Sequence, residues 1–112
     1  MQRIYYGTAR AFMLGATLVI RIPEDWCSHH GLKLGDTIYV SGELDGSIEF
    51  HVDERPWAKA MKIRIKDRKL PIVTLPADLV RTRGISKGTE CAISVDSEGG
   101  SLFLRKGDHH EP

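Results

Sequence analysis

IPEDWCSHHGLKLG at residues 22–35 returns as LPADLVRTRGISKG at residues 75–88, an offset of 53 positions in a chain of 112. Proline, aspartate and two glycines keep their places, and apolar positions between them stay apolar. The chain therefore holds two copies of one small unit, and each copy is too short to bury a hydrophobic core by itself. We expect the two copies to share one core.

The repeat also predicts the domain organisation. Residues 46–50 correspond to residues 100–104 once a single extra residue in the second copy is allowed. We expect repeat 1 at residues 1–54, a linker at residues 55–59, repeat 2 at residues 60–106 and a flexible tail at residues 107–112. Both repeats should form one globular unit, because the linker is short.

The composition is typical of a globular protein, with 41% hydrophobic and 28% charged residues. Cys27 and Cys91 are predicted to be buried free thiols, because the sister copy has Val80 and Ile38 at these positions. The cysteine usage, and the lack of a signal peptide or an apolar run of about 18 residues, predict a cytoplasmic protein with no membrane partner.

Local signals in each copy indicate the order strand, strand, short helix, strand, strand. Residues 17–22 are apolar and β-branched, and Pro23 ends this strand and begins a helix. Gly31 is expected to end the helix in the left-handed conformation, as is Gly84 in the second copy. An Asp-Gly turn at residues 45–46 predicts the hairpin that follows.

These residues resemble the AbrB/MazE/SpoVT-like swapped-hairpin (looped-hinge helix) DNA-binding domain. Residues 19–23 and 31–36 match its strand ending in Ile-Pro and its Gly-Leu-x-x-Gly-Asp turn. Residues 73–76 and 84–89 match the same pattern, with Thr89 in place of the usual acid. The resemblance covers nearly the whole chain.

The resemblance implies a mainly β fold with two short helices. Two tandem β-β-α-β-β repeats would exchange hairpins and close a small double-psi-type β-barrel. Members of the family usually close this barrel as homodimers. A tandem copy therefore implies an intrachain pseudo-dimer, with a homodimer of whole chains as the alternative.

Charge is segregated along the chain. Residues 55–69 carry seven basic residues and one acid, a balance of +6, whereas residues 23–54 carry eight acids and one lysine, a balance of −7. The net charge of +1 conceals this separation. Such segregation suits a protein that presents one face to double-stranded DNA, and non-specific attraction to polyanions would not require it.

The sharpest candidate element is a predicted strand at residues 62–66. Alternation would place Lys62, Arg64 and Lys66 on one face and two isoleucines on the other. A two-stranded ribbon can enter the major groove, where arginine pairs with guanine and lysine with phosphate. The alternative is a solvated strand face, or a sheet edge that lysines protect against aggregation. The predicted DNA-binding residues are Lys62, Arg64, Lys66, Arg68, Lys69, Arg10, Arg21 and Arg55.

The first copy is less basic than the second. Arg10 aligns with Arg64 only after a slip of one residue, and Arg21 aligns with Thr74. We therefore expect a lopsided DNA footprint in which the second copy dominates.

Other chemistry is not expected. Cys27, His29 and His30 do not share one helix face, and the second copy does not repeat them, so no metal site is predicted. The sequence shows no phosphate-binding loop and no nucleophile with an evident base, which predicts no enzyme, no cofactor and no small-molecule substrate. Trp57 is expected to pack between the two units, with stacking on a base as the alternative.

The predicted function is that of a DNA-binding transcriptional regulator, of repressor or transition-state type, which reads duplex DNA with a basic hairpin. Two alternatives remain open. One is a protein-interaction module of antitoxin-like type: the resemblance implies an acidic tail for toxin binding, which we do not expect here, but the acidic first copy remains a candidate docking surface for a protein partner. The other is an architectural protein that binds DNA without sequence preference.

Overall fold

The computed structural model describes residues 3–65, 71–96, 98 and 100–107. The first copy contains β1 (Arg3–Arg10), β2 (Phe12–Leu14), β3 (Thr17–Arg21), α1 (Glu24–His29), β4 (Thr37–Gly42) and β5 (Ile48–His51). The second copy contains β6 (Lys59–Lys62), β7 (Arg64–Ile65), β8 (Pro71–Thr74), α2 (Ala77–Arg83), β9 (Glu90–Asp96) and β10 (Ser101–Lys106). The predicted class, mainly β with two short helices, is confirmed. Lys66, Arg68, Lys69 and the end of the predicted tail lie outside the described residues.

The two copies share two antiparallel sheets. One sheet has six strands in the order β1-β9-β10-β5-β4-β6, and the other has four strands in the order β2-β3-β8-β7. In each sheet the central pair joins the two copies, β5 with β10 and β3 with β8. The Cα radius of gyration of 13.1 Å is the value expected for one compact body of this length, about 13 Å.

Each copy's first strand pairs with the hairpin of the other copy. β1 runs along β9, and β6 runs along β4. Arg10 lies opposite Glu90 and Lys62 lies opposite Thr37, and these two partners are 53 positions apart. Arg10 therefore corresponds to Lys62, and the alignment of Arg10 with Arg64 is wrong. The offset between the first strands is 52 positions, because the loops that follow them differ in length.

The first strand of the second copy crosses from one sheet to the other at Ile63. Ile63 is 2% exposed; its N–H donates to the carbonyl of Asp36 at 2.9 Å, and its carbonyl accepts from Gly35 at 2.8 Å. The predicted single strand at residues 62–66 is therefore wrong, since Lys62 lies in the six-stranded sheet and Arg64 in the four-stranded one. Side-chain alternation continues through the crossing and so does not reveal the change of hydrogen-bonding partner.

The same crossing occurs in the first copy at Ala11, which is 1% exposed. Its N–H donates to the carbonyl of Thr89 at 3.0 Å, and its carbonyl accepts from Gly88 at 2.8 Å. The two crossings therefore have matching bonds, and the first strand of each copy is divided into two short strands.

Both helices end as their glycines predict. Gly31 and Gly84 have φ angles of 67° and 71°, in the left-handed region. Directly after these glycines, the N–H of Leu32 donates to the carbonyl of Cys27 at 2.9 Å. In the second copy the N–H of Ile85 donates to the carbonyl of Val80, also at 2.9 Å. These backbone bonds satisfy carbonyls that the end of a helix would otherwise leave without a partner.

The hydrophobic core is built by both copies. Ile38 and Cys91, which occupy equivalent positions, are both fully buried in it. Cys27 is buried as well, and neither cysteine forms a disulfide, as predicted. Burial raises the pKa of both thiols to about 11. Among the described residues, no helix has the length and apolar character needed to cross a bilayer.

Candidate nucleic-acid interface

The four-stranded sheet has an outer face that turns away from the core. Its inner face contributes Ile20 and Val73 to the core, and alternation sends the neighbouring side chains to the other side. We call that side the arginine face. It consists of two cross-strand rows, Phe12–Val19–Thr74 and Arg21–Ile72–Arg64.

Arg21 and Arg64 flank Ile72 in the second of these rows. Both arginines are exposed, whereas Ile72 is fully buried. Their strands lie on either side of β8, so their Cα atoms are about 10 Å apart, two strand spacings. The sheet therefore fixes the separation of the two Cα atoms from which the arginine side chains extend.

Each arginine has a neighbour that orients it. The guanidinium of Arg21 lies over the ring of Phe12, 5.0 Å from its centroid. Arg64 donates from Nη1 to the hydroxyl of Thr74 over 3.5 Å. Neither contact neutralises the positive charge.

Acidic residues do not neutralise this face within the described part of the chain. Arg3 pairs with Asp45 at 2.8 Å and Lys59 pairs with Asp78 at 3.1 Å, but the structure gives neither Arg21 nor Arg64 an ion pair there. Lys59, counted in the basic segment of the sequence, is thus engaged elsewhere. Among the described residues, the charges of Arg21 and Arg64 are therefore not paired with an acid.

Arg10 and Lys62 occupy equivalent places at the ends of β1 and β6, and both are exposed. Arg10 lines a groove of about 390 Å³ together with Arg21, Gly7 and Ile93. Position 59 in the second copy corresponds to Gly7, and there the side chain of Lys59 reaches Asp78. The first copy has no side chain at that place, so its groove stays open.

The remaining predicted residues lie elsewhere. Arg55 is half-buried between β5 and β6, and its charge acts on His51 in the six-stranded sheet. Trp57 is 66% exposed, so the prediction that it packs between the two units is wrong. The structure brings Arg10, Arg21 and Arg64 to one region, with Lys62 directly before the crossing.

A polar cluster on the β4–β5 hairpin was not predicted from the sequence. Ser41 lies opposite Glu49 in the ladder, His51 lies two residues farther along β5, and Glu43 follows directly after the end of β4. Ser41 hydrogen-bonds both Glu43 and His51, which brings the four side chains together. His51 and Ser41 are both 3% exposed. Polar residues at every second position on both sides of the Asp-Gly turn hinted at this cluster. Without the pairing of β4 with β5, however, the sequence does not show which of these residues meet.

Burial perturbs the ionisation of this cluster. Burial raises the pKa of Glu43, and a hydrogen bond with Glu49 raises it further. Burial also lowers the pKa of His51, and the charge of Arg55 acts in the same direction. The histidine is therefore held in its neutral form more strongly than an exposed histidine.

In this cluster a serine contacts a histidine, and the histidine contacts a carboxylate. The hydroxyl of Ser41 lies 2.8 Å from Nε2 of His51, and Nδ1 of that ring lies 3.3 Å from Oε2 of Glu49. Nucleophilic catalysis uses such a series, but it needs a nucleophile that a substrate can reach. Ser41 is buried and donates its proton to Glu43 over 3.2 Å, so its hydroxyl does not face solvent.

Several acids of the first copy serve local structure. Asp36 accepts from the backbone N–H of Lys33 at 2.8 Å, and Asp45 accepts from the backbone and side chain of Ser47 at 2.9 and 2.6 Å. The hydrogen bonds from Ser47 lower the pKa of Asp45 to about 2. The acidic balance of this copy is therefore partly explained by turns.

Comparison of the chain with protein-family models, with curated proteins and with solved structures finds no match.

Proposed function

We propose that the protein binds duplex DNA through the arginine face and acts as a transcriptional regulator. The observation that carries this proposal is the placement of Arg21 and Arg64 on either side of the buried Ile72. Both arginines are exposed, and neither has an ion pair among the described residues. Arginine is the side chain best suited to guanine edges and phosphates.

The spacing of the two arginines suits the major groove. Their Cα atoms are about 10 Å apart, and the groove of B-DNA is about 12 Å wide. Because β8 separates the strands that carry them, the face of the sheet would lie over the groove and the two long side chains would reach from it to base edges or phosphates. Arg10 and Lys62, beside the same sheet, are in place to contact the flanking phosphates.

We further propose that the fold is of the swapped-hairpin AbrB type, closed within one chain. The support is the mutual pairing of β1 with β9 and of β6 with β4, which gives each copy's first strand to the other copy's hairpin. The resemblance of the two Ile/Leu-Pro and Gly-x-x-x-Gly segments points the same way. In that case both DNA-facing edges would belong to a single pseudo-dimer.

Selection of bound duplexes from a random pool tests the function. A regulator is expected to enrich a defined sequence, because base contacts discriminate by about 1–3 kcal/mol for each bidentate pair. Binding without enrichment would favour an architectural protein instead. The absence of any duplex binding at low salt would contradict the proposal and favour the protein-interaction alternative.

A further inference from the structure

The polar cluster of the β4–β5 hairpin contains a buried nitrogen without a partner. Within the part of the chain that the structure describes, Nδ1 of His51 has no hydrogen-bond partner, and the side chain of this residue is 4% exposed. One potential ligand atom from each of Glu43, Glu49 and His51 lies within 4.8 Å of the others. A buried polar atom that lacks a partner is unusual in a folded protein and calls for an explanation.

The hydrogen bonds around His51 fix the direction in which its lone pair points. The single proton of the Ser41 hydroxyl is donated to Oε2 of Glu43 over 3.2 Å. When Ser41 donates to Glu43, it accepts the bond of 2.8 Å from Nε2 of His51, and the neutral ring then carries its proton on Nε2; a hydroxyl rotated toward His51 gives the other tautomer. With the proton on Nε2, the lone pair of Nδ1 faces Oε2 of Glu49 at 3.3 Å.

Two acceptors that face each other at this distance are stable when either a proton or a metal ion lies between them. Zinc binds histidine nitrogen at about 2.0–2.1 Å and carboxylate oxygen at about 2.0–2.2 Å with tetrahedral geometry, which places two ligand atoms about 3.4 Å apart. The distance between Nδ1 of His51 and Oε2 of Glu49 is 3.3 Å. One nitrogen and two oxygens form a donor set that zinc accepts, with water completing the fourth position.

We propose that Glu43, Glu49 and His51 bind a zinc ion. Ser41 holds the imidazole from its other nitrogen and so directs Nδ1 toward the metal. The ion ties the residue directly after β4 to β5, and β4 in turn pairs with β6 of the second copy. Zinc bound here stabilises the hairpin on which the second copy's first strand rests.

The site belongs to the first copy alone. Glu49 corresponds to Phe103, and His51 corresponds to Arg105. This follows because β10 pairs with β9 in the register in which β5 pairs with β4. Neither phenylalanine nor arginine is a metal ligand. The proposal therefore predicts one zinc ion for each chain, and not two.

Calorimetric titration of chelator-treated protein with zinc sulfate tests the proposal. We expect one ion to bind per chain, a loss of about 10–100-fold in affinity for Ser41→Ala, and a larger loss for Glu49→Gln, which removes a ligand carboxylate. Glu54→Gln, which changes an exposed glutamate, is the matched control and should bind as the wild type does. Equal zinc affinity in Glu49→Gln and the wild type would overturn the proposal.

The other histidines of the chain require a second readout. His29, His30 and the pair at residues 109–110 could hold zinc without any role for the hairpin. Nitrogen NMR of the wild-type protein distinguishes the sites, because zinc at the hairpin shifts Nδ1 of His51 at the first equivalent added. A shift confined to the other histidines, or an unchanged His51 ring that holds only a proton, would contradict the proposal even if Glu49→Gln fails to fold.

Discussion

Arg64 in the second copy occupies the position that Phe12 occupies in the first. Phe12 lies opposite Val19 and Arg64 lies opposite Ile72, and these two partners are separated by the repeat offset of 53 positions. Val19 and Ile72 are both fully buried. One backbone position therefore carries an aromatic ring on one edge of the four-stranded sheet and a cation on the other.

The arginine face has a second position at which the two copies differ, and there the arginine belongs to the first copy. Arg21 corresponds to Thr74, and each contacts the residue at the first variable position: Arg21 lies over Phe12, and Thr74 accepts from Arg64. Each copy thus contributes one arginine, but from a different strand. Among the described residues, the arginine face is pseudo-symmetric in backbone and asymmetric in chemistry.

Ile63 is predicted to be essential to the exchange of strands between the copies. It is 2% exposed and lies where the chain passes between the two sheets. Ile63→Ala should lower the free energy of unfolding by about 2–5 kcal/mol, because a buried side chain is lost and a cavity remains. Urea denaturation measures this change. Ile4→Ala, at a position that is 50% exposed, is the control and should cost much less; equal losses would show that the crossing is not specially packed.

The chain is predicted to fold as a monomer. Both first strands pair with hairpins of the same chain, so no second chain is needed to complete either sheet. Sedimentation should give the mass of one chain, and the unfolding midpoint should not depend on protein concentration. A midpoint that rises with concentration would instead indicate hairpins exchanged between chains.

The sequence predicted the features that depend on local backbone chemistry. Gly31 and Gly84 marked the helix ends because only glycine adopts the left-handed conformation readily. The hairpin turn at Asp45 was marked for a similar reason, and the structure places it where the sequence put it. These signals depend on only a few neighbouring residues, so they can be interpreted without knowledge of the rest of the fold.

Features that depend on pairing between distant strands were not predicted. The crossing at Ile63 was missed because a buried residue between two cations fits an unbroken strand equally well. The correspondence of Phe12 with Arg64 was missed because it follows an offset of 52 positions, whereas the segment from Val19 to Val40 follows an offset of 53. The cluster around His51 was missed because it needs the register of β4 against β5.

Asp45 is predicted to titrate with a pKa of about 2. Because this value lies below the ordinary 3.8, the ionised carboxylate contributes stability at pH values above about 4, and this contribution is lost as the pH falls through 2. Carboxyl carbon NMR measures the titration. Ser47→Ala should raise the pKa more than Arg3→Gln does, since the side-chain hydrogen bond from Ser47, which this variant removes, is the largest cause of the low value. The reverse order would show that the ion pair with Arg3 dominates.

The central claim is that Arg21 and Arg64 contact duplex DNA from one face. The measurement that tests it most directly is the salt dependence of duplex affinity. It compares the wild type with Arg21→Ala/Arg64→Ala and with a control, Arg81→Ala/Arg105→Ala. The control removes two exposed arginines from α2 and β10. Each phosphate contact contributes about 0.9 to the slope of log affinity against log salt concentration. We predict that Arg21→Ala/Arg64→Ala weakens binding and lowers the slope by up to about 1.8, while the control leaves both unchanged. Equal slopes and affinities in all three proteins would contradict the account.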